Sequence, residues 1–172
     1  MKLYHGSNVE VKNLNLEYSN KTSDFGKGFY LTSDLEQAKK WSEKKTIKIE
    51  NGTPTVSIFE IEEINTKDLK IKKFDSANEE WFDYVIKNRK NIQNEDYDIV
   101  IGPVANDGTY EVINLYTRGI LERNQAILQL KTYKLKDQYN FKTTKAISKL
   151  IYKGVLKWIL YLWKNLCQNT YT

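Results

Sequence analysis

Hydrophobic positions along this chain come in short runs whose spacing changes from one stretch to the next. Residues 2–5 read as a strand, and residues 9–16 alternate irregularly before a polar loop over 17–23. Gly26 and Gly28 mark a turn that feeds a strand over 29–32. Ser33 or Asp34 caps the following helix, in which Leu35, Ala38 and Trp41 recur every three residues and are expected on one face. Val56, Ile58, Phe59 and Ile61 make residues 55–61 a strand after the Asn51-Gly52 turn, and Leu69 and Ile71 predict another. Residues 75–88 form a helix with Trp81, Val85 and Tyr84 inward, capped by Ser76 or Asn78. Residues 98–104 are a buried strand ending at Pro103, and a turn over 106–109 leads into a short strand or helix through Leu115. A helix over 122–130, a strand over 139–141 and a helix from Ala146 capped by Thr143 or Thr144 complete the domain.

Strands and helices mix without the strict alternation of a doubly wound parallel sheet, so the fold class is α+β with a largely antiparallel, split sheet. From about Tyr152 apolar residues (Val155, Leu156, Trp158, Ile159, Leu160, Leu162, Trp163, Leu166) interleave with Lys149, Lys153, Lys157 and Lys164. This reads as a basic amphipathic C-terminal helix, giving a domain over 1–151 and a helical extension over 152–172. That helix packs on the sheet, binds a partner or lies on a membrane surface.

At 172 residues the chain supports one domain with a real core. Its formal charge of +5 is nearly all lysine, with Arg89, Arg118 and Arg123 the only arginines. Such an excess steers acidic partners but is weak support for nucleic-acid reading. A single cysteine, Cys167, excludes an internal disulfide and points to a reducing compartment. No run approaches the ~18 apolar residues of a membrane span, so a cytoplasmic location is expected. With one histidine and one cysteine there is no metal-ligand set, and neither a P-loop nor a dinucleotide fingerprint is present.

His5 at a strand end can hydrogen-bond a ribose hydroxyl. Gly6 has no side chain, so its backbone can meet a planar carboxamide edge to edge. Tyr30 and Trp41 offer flat faces to a pyridine ring. The stretches Leu3-Tyr4-His5-Gly6-Ser7 and Phe25-Gly26-Lys27-Gly28-Phe29-Tyr30-Leu31 closely resemble the signature of ADP-ribosyltransferases of the poly(ADP-ribose) polymerase and diphtheria-toxin type. The chain is still more similar to a bacterial family catalogued as domain of unknown function 3990, assigned to that superfamily. The likeness extends from Lys2 to about Leu150 and includes Gln37 to Trp41, Asn88-Arg89, Tyr97 to Asp107 and Asp137-Gln138.

The resemblance implies an ADP-ribosyltransferase-like split sheet and NAD as substrate, with no metal. It makes His5, Tyr30 and Gln138 the catalytic triad positions, and His5, Gly6, Ser7, Gly28, Tyr30, Trp41 and Arg89 the NAD-binding ones. His5 would contact the adenosine ribose, Gly6 the nicotinamide carboxamide, and Trp41 would stack on nicotinamide. Ala38 stands where those enzymes place a serine, and Gln138 where they place a glutamate. A carboxylate about 4 Å from the ribosyl cation at an effective dielectric near 20 is worth about 4 kcal/mol, or about three orders of magnitude in rate. Either Asp137 or Glu111 supplies that charge, or turnover is slow, or the protein only binds. Arg89 holds the pyrophosphate or pairs Asp96 or Asp98. The implied activity is mono-ADP-ribosyl transfer to a macromolecular acceptor, protein or nucleic acid, with nicotinamide released. The setting would be a bacterial toxin of a toxin–antitoxin or phage-defence pair, with an antitoxin partner. The alternative is a catalytically weak or inactive NAD or ADP-ribose-binding module.

Overall fold

In the computed structural model, which describes residues 1–19, 22–62, 66–92, 96–104, 107–132 and 135–158, two β-sheets meet at a single pair of residues. The first sheet holds β1 (Lys2–Ser7), β3 (Thr55–Glu60) and β7 (Ile151–Lys157) in the order β1-β3-β7, all antiparallel. The second holds β2 (Phe29–Leu31), β6 (Asp137–Phe141), β5 (Ile99–Pro103) and β4 (Ile71–Lys73) in the order β2-β6-β5-β4. Only its β4–β5 edge is parallel. The class expected from the sequence, α+β with a mainly antiparallel split sheet, is the one observed.

Helix α1 (Leu35–Ile49) starts at Asp34, whose carboxylate accepts the Gln37 N–H, and α2 (Glu79–Arg89) starts at Asn78, which accepts from Trp81. Buried Trp81, Phe82 and Val85 of α2 meet Val100, Ile113 and Leu130 in a core that also takes in α3 (Asp107–Thr117) and α4 (Arg123–Leu130). A second core joins the two sheets through Leu3, Leu31, Phe59, Ile99 and Phe141 and is closed by Ala146 of the one-turn α5 (Thr144–Ile147).

Three sequence expectations are corrected. The turn over 106–109 gives way to α3 from Asp107, because buried Thr109, Val112 and Ile113 already carry helical spacing that the Asp107-Gly108 pair masks. Trp41 is 61% exposed and leaves the face expected of it; α1 instead buries Ala38, Ser42 and Thr46 at four-residue steps. The helix expected from Tyr152 is a strand over Ile151–Lys157. The open edge of β3 takes this segment as its partner strand, setting Tyr152 against Phe59 and Gly154 against Ile58. Tyr152 then packs on Phe59 with ring centroids 5.7 Å apart, and Gly154 at φ +143° absorbs the register shift at Ile58/Phe59. The proposed boundary after residue 151 therefore falls inside a strand of the first sheet. The rest of the supposed helix, 159–172 with Cys167, lies outside the described residues.

Candidate functional site

The sheets part just beyond the Tyr4–Thr32 pair. Tyr4 N–H donates to Thr32 O at 2.8 Å and Thr32 N–H to Tyr4 O at 3.0 Å. On the opposite edge, Met1 and Ile61 exchange the equivalent bonds, so odd residues of β1 face β3 and even ones face β2. The N–H and C=O of Gly6 therefore point toward β2. By the same alternation Tyr30 presents its own N–H and C=O toward β1. A continued ladder would pair Gly6 with Tyr30. Instead the His5 imidazole is wedged there, with Nδ1 2.8 Å from Tyr30 O and its ring 4.5 Å from that of Phe29. The bond to a carbonyl requires the proton on Nδ1, which leaves Nε2 as an acceptor. Desolvation holds the imidazole pKa down to about 4; the Lys45 cation adds to this and the Tyr30 carbonyl opposes it.

Helix α1 roofs this edge. A Cβ on Gly6 would run into the backbone of Ala38 and Ser42, so only glycine lets the helix lie so close to β1. Ala38 and Ser42 are buried at the contact, whereas Trp41, between them in sequence, is exposed. Ser7 is buried, and its hydroxyl is held between Lys45 Nζ at 3.1 Å and Asn8 Oδ1 at 3.4 Å.

Tyr30 fixes the glycine loop. Its hydroxyl donates to Gly26 O at 2.7 Å and accepts the Phe25 N–H at 3.0 Å, and burial pushes the phenol pKa well above its ordinary range. Such a group offers a ring face and no proton. The loop is pinned from β6 as well: Asn140 Nδ2 donates to Phe25 O at 3.0 Å, and Lys142 Nζ donates to the same oxygen at 2.6 Å. Gly26 sits at φ +76°, where Gly is favoured. Gly28 lies against the Asn140 side chain with no room for a Cβ, and its N–H donates to Ser19 Oγ at 3.2 Å. Gly28 is thus a packing residue of the loop.

Arg89 does not pair Asp96 or Asp98. Its Nε and Nη2 donate to Asp24 Oδ1 at 2.9 and 2.7 Å, with both side chains largely buried, and the guanidinium lies 4.8 Å from the Tyr110 ring centroid. Neighbouring Asn88 donates to Asp24 O at 3.2 Å. Asn88 and Arg89 together anchor the start of the loop that ends at Tyr30.

Gln138 is buried on β6 between Thr32 of the β2 edge and Gly102 of β5, and its Nε2 donates to Pro103 O at 3.2 Å. That leaves the amide oxygen as its acceptor. Asp137 is engaged elsewhere: its carboxylate accepts from Thr32 Oγ1 at 3.0 Å, from Ser33 N–H at 2.9 Å and from Ser33 Oγ. Glu111 is exposed on α3.

The structure thus brings His5, Gly6 and Tyr30 to one edge under α1, with Gln138 on the strand next to Tyr30. Arg89 pairs Asp24 at the start of the glycine loop, and Gly28 packs on Asn140 within it. Sequence reasoning missed Asn140, Lys142 and Lys45, whose only signal is two-residue spacing on β6 and seven-residue spacing from Ala38 on α1. Among the described residues no three His, Cys, Asp or Glu side chains gather as metal ligands, and no helix is long and apolar enough to cross a membrane.

A family model described as Protein of unknown function (DUF3990) matches residues 1–152, and the chain belongs to that family. No curated protein and no solved structure matches it.

Proposed function

We propose that this DUF3990 protein is an NAD-dependent mono-ADP-ribosyltransferase that works in the cleft where the two sheets part. The observation that carries this reading is the parted edge itself. Gly6 turns an N–H and a C=O, complementary to a carboxamide, toward the backbone of Tyr30. A neutral His5 held by Tyr30 keeps Nε2 for a ribose hydroxyl. The resemblance assigns nicotinamide stacking to Trp41, which is exposed on α1, the helix packed on Gly6.

In this reading the bond between nicotinamide nitrogen and ribose C1′ breaks, and its electron pair leaves with nicotinamide. C1′ bonds to a nucleophile of a protein or nucleic-acid acceptor, which gives up a proton. Gln138 accepts a ribose hydroxyl and orients the sugar, without the charge a carboxylate would add. A cell-damaging role with few turnovers fits such a site, so we place the protein as a bacterial toxin, cytoplasmic, with an antitoxin partner. Labelled NAD incubated with cell lysate should transfer label to a macromolecule and release nicotinamide, and Tyr30→Ala should abolish both. Absence of label and of nicotinamide release with the wild-type protein overturns the transferase reading.

A second reading rests on Gln138, whose amide nitrogen is bound to Pro103 O and which no carboxylate replaces. The protein would then bind NAD or ADP-ribose without cleaving it. Calorimetric binding of NAD with no nicotinamide release selects this reading.

A further inference from the structure

The face of α1 that covers β1 runs through Ala38 and Ser42 to Lys45, and at its far end it turns an ammonium toward the cleft. Nζ donates to Ser7 Oγ at 3.1 Å, one residue beyond the Gly6 edge. Ser7 is buried and its hydroxyl also meets Asn8, so it fixes the ammonium and is itself closed to a ligand. Among the described residues Lys45 has no carboxylate within ion-pair distance and donates to Ser7 Oγ, whereas Arg89 has Asp24. Its pKa is lowered by burial, and its field reaches the His5 imidazole. A half-buried ammonium with two N–H groups to spare and no counter-charge is a ready donor to an anion.

We propose that Lys45, positioned by Ser7, is the seat for a phosphoryl group of the bound nucleotide. This rests on the NAD reading and adds a second cation to Arg89, which Asp24 already engages. The nucleotide would lie along the edge from Gly6 to Ser7, with a phosphoryl group at Lys45. Its ligand class is a nucleoside diphosphate, either free or as half of a dinucleotide.

The test is calorimetric titration of wild-type, Lys45→Met and Lys45→Arg proteins with NAD, ADP and nicotinamide, with thermal melts to verify folding. Lys45→Met should weaken NAD and ADP about tenfold or more, as expected for a charge-assisted bond, and leave nicotinamide unchanged. Lys45→Arg should recover most of the loss. Lys45→Gln, also neutral, repeats the measurement should the methionine variant not fold. ADP affinity within twofold of wild type in the neutral variants overturns the seat while wild-type NAD binding stands. Wild-type binding of ADP, lost with Lys45 and unaccompanied by any NAD binding, supports the seat and overturns the NAD reading. Wild-type protein that binds neither nucleotide overturns both.

Discussion

The imidazole of His5 holds the backbone carbonyl of Tyr30 at 2.8 Å, in the place where a strand N–H would continue the ladder between β1 and β2. A side chain has replaced a backbone donor, and the sheets separate from that point. The consequence is an edge of Gly6 that faces Tyr30 across the gap, lined by α1.

The imidazole ties stability to pH. Its folded pKa of about 4 lies below the ordinary 6.5, so the unfolded chain binds the extra proton between those values. The contribution is complete above pH 6.5 and is lost as pH falls toward 4, by about 3 kcal/mol at most. His5 is the only histidine, and the lowered carboxylates Asp34, Asp68 and Asp98 act below this window. Urea unfolding between pH 6.5 and 4.5 should lose stability in the wild type, and His5→Gln should flatten that slope. An unchanged slope in the variant would assign it to other groups.

Gly6→Ala places a methyl group against the backbone of Ala38 and Ser42. Neither neighbour is a flexible side-chain end, so α1 must move off β1. A loss of about 1–3 kcal/mol is expected, in the range of overpacked cores, read as a lower urea midpoint with an unchanged m-value. A variant as stable as wild type would mean that α1 does not rest on this strand.

Breaking the Arg89–Asp24 pair separates scaffold from ligand roles. Asp24→Asn leaves a largely buried guanidinium without its carboxylate and should cost about 3 kcal/mol. Nicotinamide release should fall only as far as the folded fraction falls. A stable Arg89→Lys protein that loses NAD affinity would return Arg89 to the pyrophosphate.

Gln138→Glu tests the missing charge. A carboxylate at this position should raise nicotinamide release by up to about a thousandfold. It should also lower the melting temperature, because an acceptor would then face Pro103 O where an amide donated. Release that stays at the wild-type rate in a folded variant removes position 138 from the chemistry.

Asn140→Leu should free the glycine loop. Asn140 is fully buried and donates to the backbone of the 25–27 turn. Its loss leaves Phe25 O to Lys142 alone and should cost about 2 kcal/mol. Amide exchange at Phe25 and Gly28 should quicken before the core strands respond, and uniform protection would argue against a loop-specific lock.

Much of this protein is legible from local pattern. Caps at Asp34, Asn78 and Thr143 are chosen by side chains that reach backbone only three residues away. The strands at 2–7, 55–60 and 99–103 are short apolar runs bounded by turn residues. Of the motif glycines, Gly26 at φ +76° answers a limit set within its turn, whereas Gly6 and Gly28 are required by α1 and by Asn140. The partners of those motifs lie far along the chain: Asn88 and Arg89 reach Asp24 across more than sixty residues, and Asn140 reaches Phe25 across 115.

Residues 151–157 make the contrast plain. Their mixed apolar and lysine spacing accommodates a helix or a strand, and the open edge of β3 selects the strand. The sequence alone determined which segments could be strand, helix or turn, because those choices depend on dihedral preference and on periodic burial over a few residues. Only tertiary structure decided that Arg89 serves Asp24, that Lys45 turns toward Ser7, and that the sheets part at His5. Each of those outcomes depends on which distant polar group comes close enough to satisfy a buried charge or carbonyl, and no local spacing encodes that proximity.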